Sequence, residues 1–301
     1  MTYPGKPAYI FGPNTTAKTA ASFINTAISR ETGVLELTLG YSPCPNDTFI
    51  FHALVKGLLD TGGLRFRERL HDVEALNRMA MEAKLDITKL SFHAWLHVRQ
   101  TYTLLDSGAA LGYGCGPVVI ARRPMARGDL AAARIVFPGR WTTAHLLFGL
   151  WAPEARDRLF TTYDRIFGIL DAGEADAGVI IHENRFTFRQ AGFTEIVDLG
   201  AWWEAETGLP IPLGCIAARR SLPDGLPGRV ESLIRESIRR AAARPDEAMP
   251  YMRAHAQEMD ADVLRRHVET FVNEFSLALG DRGRLAVDVL AQRAREAGMA
   301  P

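Results

Sequence analysis

Ala177-Gly-Val-Ile-Ile-His-Glu-Asn-Arg-Phe-Thr-Phe188 is the stretch around which the chain is organised. Gly178 to Ile181 is a short apolar run rich in β-branched residues, the pattern of a buried strand. His182, Glu183, Asn184 and Arg185 follow at once and mark where that strand ends. In open α/β sheets the carboxyl ends of strands face the ligand crevice. A histidine there can take or give a proton near neutral pH. Glu183 and Arg185 are alternates that could orient it or bind an anion. The plainer reading is a strand end followed by a solvated polar turn.

Outward from this strand, 164–173 predicts a helix and 134–137 a strand. Pro138-Gly-Arg-Trp-Thr-Thr-Ala-His145 then leads into a helix carrying Leu146, Leu147 and Leu150, with Thr142 or Thr143 as its N-cap. The free N–H groups of such a helix start suit a carboxylate or phosphate. His145 in its first turn is the rival of His182, although its charged form is disfavoured there. Downstream, 195–199 reads as another strand. Thr207-Gly-Leu-Pro-Ile-Pro-Leu-Gly-Cys215 is extended by its prolines.

Further out, Val34 to Gly40 reads as the first strand. Tyr41-Ser-Pro-Cys-Pro-Asn-Asp-Thr48 is a rigid loop with Asn46 or Asp47 as the cap of the next helix. Its backbone N–H groups favour an anionic or oxygen-rich ligand. Residues 64–70 predict a second strand, and Asp72 caps a second helix. A third strand ends in Thr88-Lys-Leu-Ser91, which puts an ammonium and a hydroxyl at a strand end. His93 and His97 share a helix face, but no Glu lies between them and no third ligand is near, so a metal is not expected there. Gly112, Gly114 and Gly116 alternate without forming GxGxxG, which argues against a dinucleotide site. Pro117 to Ala121 is a strand, and the crossing into a second lobe is placed at its end. From Gly228 the chain is helical. The last helix is expected to turn Leu285, Val289 and Ala291 inward and Arg282, Arg284, Arg293 and Arg295 outward.

Composition narrows the function. The 301 residues suffice for one large domain or two ordinary ones. Lys+Arg and Asp+Glu are 35 each, so no global field attracts nucleic acid or an anionic membrane. No stretch reaches the roughly 18 apolar residues of a membrane span. Cys44, Cys115 and Cys215 are odd in number and form no CxxC pair, which points to reduced thiols. No basic residue adjoins Cys44 in sequence, so it is expected to shape its loop rather than attack substrate. Residues 1–33 lack the apolar run of a secretory signal and read as a poorly ordered extension, with one weak helix over 19–29. A cytoplasmic location is therefore expected.

Two strand–loop–helix sites, two extended crossings and a middle insertion describe two α/β lobes with a cleft between them, the type II periplasmic-binding-protein architecture. Ser42-Pro-Cys-Pro-Asn-Asp-Thr-Phe-Ile-Phe51, Thr88-Lys-Leu-Ser91, Gly116-Pro117, Gly139 with Thr142-Thr-Ala144, Asp176-Ala-Gly-Val-Ile-Ile-His-Glu-Asn-Arg-Phe186 and Leu209-Pro-Ile-Pro-Leu-Gly214 resemble the 1,4-dihydroxy-6-naphthoate synthase family. The resemblance covers about 34–297, in order. With the crossings above it implies a large lobe, 34–121 plus 215–301, and a small lobe, 122–214. It implies a carbon–carbon lyase of the futalosine route to menaquinone, with neither metal nor organic cofactor. The substrate would be the small-molecule carboxylate cyclic dehypoxanthinylfutalosine. His182 falls on the family's catalytic histidine, the general base. Lys89, Leu90, Ser91, Thr143 and Ala144 fall on substrate-binding segments, and Ser42, Asn46, Asp47 and Thr48 of the first loop are further binding candidates. Trp141 and His145 depart from the family's usual residues, which are more polar and aromatic respectively. The alternatives are a chorismate dehydratase of the same pathway and a non-catalytic solute-binding protein of the same fold.

Overall fold

The computed structural model describes residues 34–256 and 260–301, so the extension and its expected helix over 19–29 lie outside the described residues. Strands β1 (Leu35–Tyr41), β2 (Leu64–Leu70), β3 (Ile87–Ser91), β4 (Tyr102–Leu104) and β5 (Ala110–Gly112) begin the first sheet. Strands β6 (Val118–Ala121), β7 (Ile135–Phe137), β8 (Arg158–Phe160), β9 (Ala177–Ile180) and β10 (Thr194–Asp198) form the second. The long β11 (Ile211–Arg219) returns to the first. Helices α1 (Pro45–Val55), α2 (Val73–Met81) and α3 (Phe92–Val98) follow the first three strands. Around the second sheet lie α4 (Thr143–Trp151), α5 (Ile166–Asp171), α6 (Asn184–Thr187) and α7 (Leu199–Thr207). The chain ends in α8 (Leu226–Ala243), α9 (Pro245–His255), α10 (Ala261–Phe271), α11 (Glu274–Leu277) and α12 (Gly280–Glu296).

The first sheet runs β2-β1-β3-β11-β4, with β5 also on β11. β1 pairs in parallel with β2 and β3, whereas β11 is antiparallel to its neighbours. The second sheet runs β10-β6-β9-β7-β8. Sheet membership moves both edges of the expected middle lobe. β6 pairs with β9 and β10, so the sheet changes before Val118 and not after Ala121. The return comes at Ile211, which pairs with Gly112, and not at Cys215. The physical pin is a glycine pair. A Cβ on Gly116 would stand 2.3 Å from the backbone of Gly200, so only glycine lets the start of β6 lie against the start of α7.

Burial explains the apolar runs. β3, β6 and β9 are buried along their whole lengths, as strands covered on both faces are. Every residue of α1 from Pro45 to Leu54 is buried, so it has no amphipathic stripe. α8 does: Leu226, Val230, Leu233, Ile234 and Ile238 face the first sheet's core. The face expected of α12 is shifted. Ala286, Val287, Leu290, Ala291 and Ala294 are buried, while Leu285 is 52% exposed. A small-residue stripe lets α12 pack closely, and Leu285 falls just outside it.

Candidate active site

Three chain segments reach one cavity because each leaves the carboxyl end of a strand there. After β1, the loop Ser42–Cys44 turns into α1, whose N-cap is Cys44 and not Asn46 or Asp47. Pro45 accounts for the shift, since a proline fits the first helical position where no N–H is needed. After β3, Lys89 and Ser91 arrive at the strand end. After β9, His182 takes a left-handed backbone, φ 58°. That conformation is uncommon for a residue with a side chain and is enriched at functional positions. At about 90 Å³ the cavity holds several water-sized volumes, so it is a true cavity rather than a packing flaw. Its polar lining includes Ser42, Asn46, Asp47, Lys89, Ser91 and His182, with Thr142, Thr143 and Ala144 opposite.

Asp47 is the hub of the first wall. Lys89 Nζ donates to its Oδ1 at 2.6 Å, and Asn46 Nδ2 to the same oxygen at 2.9 Å. Ser42 donates to Oδ2 from its hydroxyl at 2.8 Å and its amide at 3.1 Å. Asp47 and Lys89 are both buried, which such a charge pair tolerates because each partner is compensated. Ser91 is held by Asn77, which donates to its hydroxyl oxygen at 3.1 Å and accepts its amide at 2.9 Å. The Ser91 hydroxyl proton is thereby left for a ligand. Two expected binding residues are elsewhere. Leu90 sits in the core, and the hydroxyl of Thr48 donates to the Cys44 carbonyl inside α1. Successive strand residues alternate faces, and Thr48 lies one turn deeper in its helix than Cys44.

His182 is approached from both sheets. Tyr163 meets it edge to face, with centroids 5.0 Å apart. From the first sheet, Cys44 Sγ lies 3.8 Å from His182 Nε2, within hydrogen-bond reach for sulfur. Sequence reasoning left Cys44 without a basic partner; the fold supplies one 138 residues away. Burial pushes the Cys44 thiol well above its ordinary range, and the Glu183 charge adds to this. Burial lowers the pKa of His182, partly opposed by the Glu183 and Asp47 charges. The thiol–imidazole pair is therefore neutral at neutral pH, and no nucleophilic thiolate is prepared. Cys44→Ser should keep kcat/KM within about fivefold, because a hydroxyl replaces one weak donor beside the ring. Complete loss of turnover with normal folding and binding would instead indicate covalent catalysis.

The alternates are placed elsewhere. Arg185 donates to the Gly116 carbonyl and to Asp198 Oδ2, the latter at 3.0 Å. Glu183 has a buried Oε2 without a partner. His145 points away from the cavity: its Nδ1 is 2.8 Å from the Arg140 carbonyl, and Arg158 donates to its Nε2 at 2.8 Å. Its lone pair is therefore occupied, which removes it as a base. His93 and His97 both bring Nε2 to 3.0 Å from the Met299 carbonyl. Among the described residues no group of three or more His, Cys, Asp or Glu could hold a metal.

The second wall is the start of α4, capped by Thr142, whose side chain accepts the His145 amide. The Thr143 and Ala144 amides, in its first turn, have no intrahelical acceptor. The Thr143 hydroxyl is not free for a ligand. It donates to the Leu213 carbonyl at 2.6 Å and accepts the His93 amide at 3.3 Å, tying α4 to the first sheet. Glu74 on α2 makes a second tie, accepting the Arg140 and Trp141 amides at 3.0 Å each. Thr143→Val should raise KM more than it lowers kcat, since it loosens the wall without touching His182. It should also lower stability by about 1–3 kcal/mol through the stranded Leu213 carbonyl. Steady-state kinetics and urea denaturation check both.

Two α/β sheets with a cavity between their strand ends define a protein of the periplasmic-binding-protein fold. The alkanesulfonate-binding protein of Xanthomonas axonopodis pv. citri has this fold at a TM-score of 0.66 and 14% identity, over 88% of this chain and 94% of that one. A protein from Archaeoglobus fulgidus is more similar: TM-score 0.83 and 32% identity, covering 88% of this chain and 98% of that one. The chain belongs to the menaquinone-biosynthesis family, whose model matches residues 37–296. Its relatives include the 1,4-dihydroxy-6-naphtoate synthases of Thermus thermophilus, 49% identical over 88% of this chain and 96% of the relative, and of Streptomyces coelicolor, 40% identical over 88% and 95%. It is thus similar to named biosynthetic enzymes along nearly their whole length. Among the described residues no helix is long and apolar enough to cross a membrane.

Proposed function

We propose that this chain is a lyase that converts cyclic dehypoxanthinylfutalosine to 1,4-dihydroxy-6-naphthoate, with His182 as general base. The observation that carries the reading is His182 itself, a histidine with a lowered pKa on the cavity wall at a strand end. A base that removes a carbon-bound proton must be neutral beforehand and must reach it. His182 takes a proton from the carbon next to a carbonyl. The pair left by that C–H bond becomes a double bond of the ring as the carbon–carbon bond to the sugar-derived fragment breaks. That bond's own pair leaves with the fragment, which takes up the proton from His182, and formation of an aromatic ring drives the step. The site would work in the cytoplasm on a free small molecule.

The substrate carboxylate is assigned to α4, where the Thr143 and Ala144 amides meet the positive end of the helix dipole. The start of α1 suits it less well. Pro45 has no N–H there, and Asp47 already brings a carboxylate, balanced by Lys89. Ser91 and Lys89 remain to meet hydroxyl or carbonyl oxygens of the substrate. Incubation of the purified protein with the cyclised futalosine derivative tests the reading. The naphthoate should appear by mass spectrometry in step with substrate loss. Consumption of chorismate instead, or binding without turnover, would overturn it.

A further inference from the structure

His267 on α10 has no part in the reaction above, yet it stands directly behind the site. It is 1% exposed, and its Nε2 lies 3.0 Å from Asn46 Oδ1. The direction of that bond follows from the neighbours. Asn46 Nδ2 donates to Asp47, so Oδ1 is the acceptor and His267 Nε2 carries the proton. A neutral imidazole has only one N–H, so His267 Nδ1 is a bare lone pair. It is buried and has no partner. Burial holds the His267 pKa well below the ordinary histidine value, and the protonated form of His182 and the Lys89 charge each oppose a second positive charge there. The ring also lies nearly parallel to His182, 16° between planes and 6.3 Å between centroids.

A residue needed only to fill this space would be apolar. Leu264 and Phe271, on the same helix, are also buried and do that work. A histidine strands a buried acceptor, a cost of order 1.4 kcal/mol or about tenfold in an equilibrium. Its one hydrogen bond reaches Asn46, which lines the cavity, and its ring lies nearly parallel to that of His182. We propose that His267 is a positioning residue: its Nε2–H fixes the Asn46 amide so that the second Nδ2 hydrogen is offered to a substrate oxygen, and its ring backs the imidazole of His182. The proposal rests on the reading above only in taking His182 as the base.

Two variants separate the two tasks. His267→Phe keeps a ring behind His182 and removes the donor, so KM should rise about tenfold with kcat within about threefold. His267→Gln keeps a donor and removes the ring, so kcat should fall about threefold to tenfold with KM within about twofold. A fall in melting temperature with unchanged kinetics in both variants would make His267 a core residue and nothing more. Histidine side-chain 15N NMR of the wild-type protein gives a readout independent of turnover and of either variant folding. His267 should show a protonated Nε2 and a bare Nδ1 at neutral pH. The opposite tautomer, or a doubly protonated ring, would overturn the proposal. If the cyclised substrate is not turned over but the tautomer is as stated, the proposed reaction fails and the positioning of Asn46 stands.

Discussion

His182→Asn should lower kcat at least about a hundredfold while substrate binding is largely retained. Asparagine keeps part of the volume and a polar tip beside Cys44, but it cannot accept a proton from carbon. The pH dependence carries a second, sharper expectation. Burial lowers the His182 pKa, so the group stays neutral to lower pH than a free histidine. A base works in its deprotonated form, so the acid limb of kcat/KM should fall below the ordinary value of 6.5. An acid limb above that value would mean that the group acting as base is not a buried histidine of lowered pKa, which would count against His182. His145→Asn supplies the control. Both of its ring nitrogens are taken up by Arg140 and Arg158, so its loss should lower stability and leave the acid limb in place.

The second large effect is on stability in acid. Burial lowers the pKa of His93 from 6.5 to about 4 and that of His145 from 6.5 to about 3. The sign follows from linkage. Below pH 6.5 the unfolded chain takes up protons on these two side chains while the folded chain does not. Stability is therefore fully present above the unfolded value and is lost as pH falls toward the folded ones. One pKa unit is worth about 1.4 kcal/mol, so by about pH 4 each group removes about 3 kcal/mol, and together about 6. That is a large part of the roughly 5–15 kcal/mol that holds a domain folded. Urea denaturation at steps from neutral pH to about pH 4 should show the decline beginning near 6.5. A flat profile over that range would sink the assignment. His93 sets its two ring nitrogens against the Thr142 and Met299 carbonyls and its single N–H serves one of them, so the acid-sensitive side chain lies beside the α4 wall of the cavity.

Much of this molecule was legible one segment at a time. The apolar run before His182, the strand ending in Lys89 and Ser91, and the Thr142 cap of α4 are local signals of side-chain period, strand termination and capping. Each element is where those signals put it, because neighbouring residues alone decide them. The motif blocks carried the family in the same way, since they are contiguous in the chain. What local signals cannot carry is which surfaces meet. Val118–Ala121 has no polar residue to show a face, so nothing in it says which sheet it joins; pairing with β9 and β10 decides that. Leu285 fits a helical stripe on paper, but a close-packed row of alanines sets the buried face of α12. The Thr143 hydroxyl reads as a free donor until the Leu213 carbonyl, 70 residues away, accepts its hydrogen bond. The contacts around the cavity are equally remote in sequence: Cys44 Sγ meets His182 Nε2 from 138 residues away, and His267 bonds Asn46 across 221 residues. Sequence by itself determined which side chains stand at strand and helix ends, because backbone conformation is set locally. Only the tertiary structure decided which of them share a cavity, because burial and hydrogen bonding between distant segments exist only once the two sheets have packed.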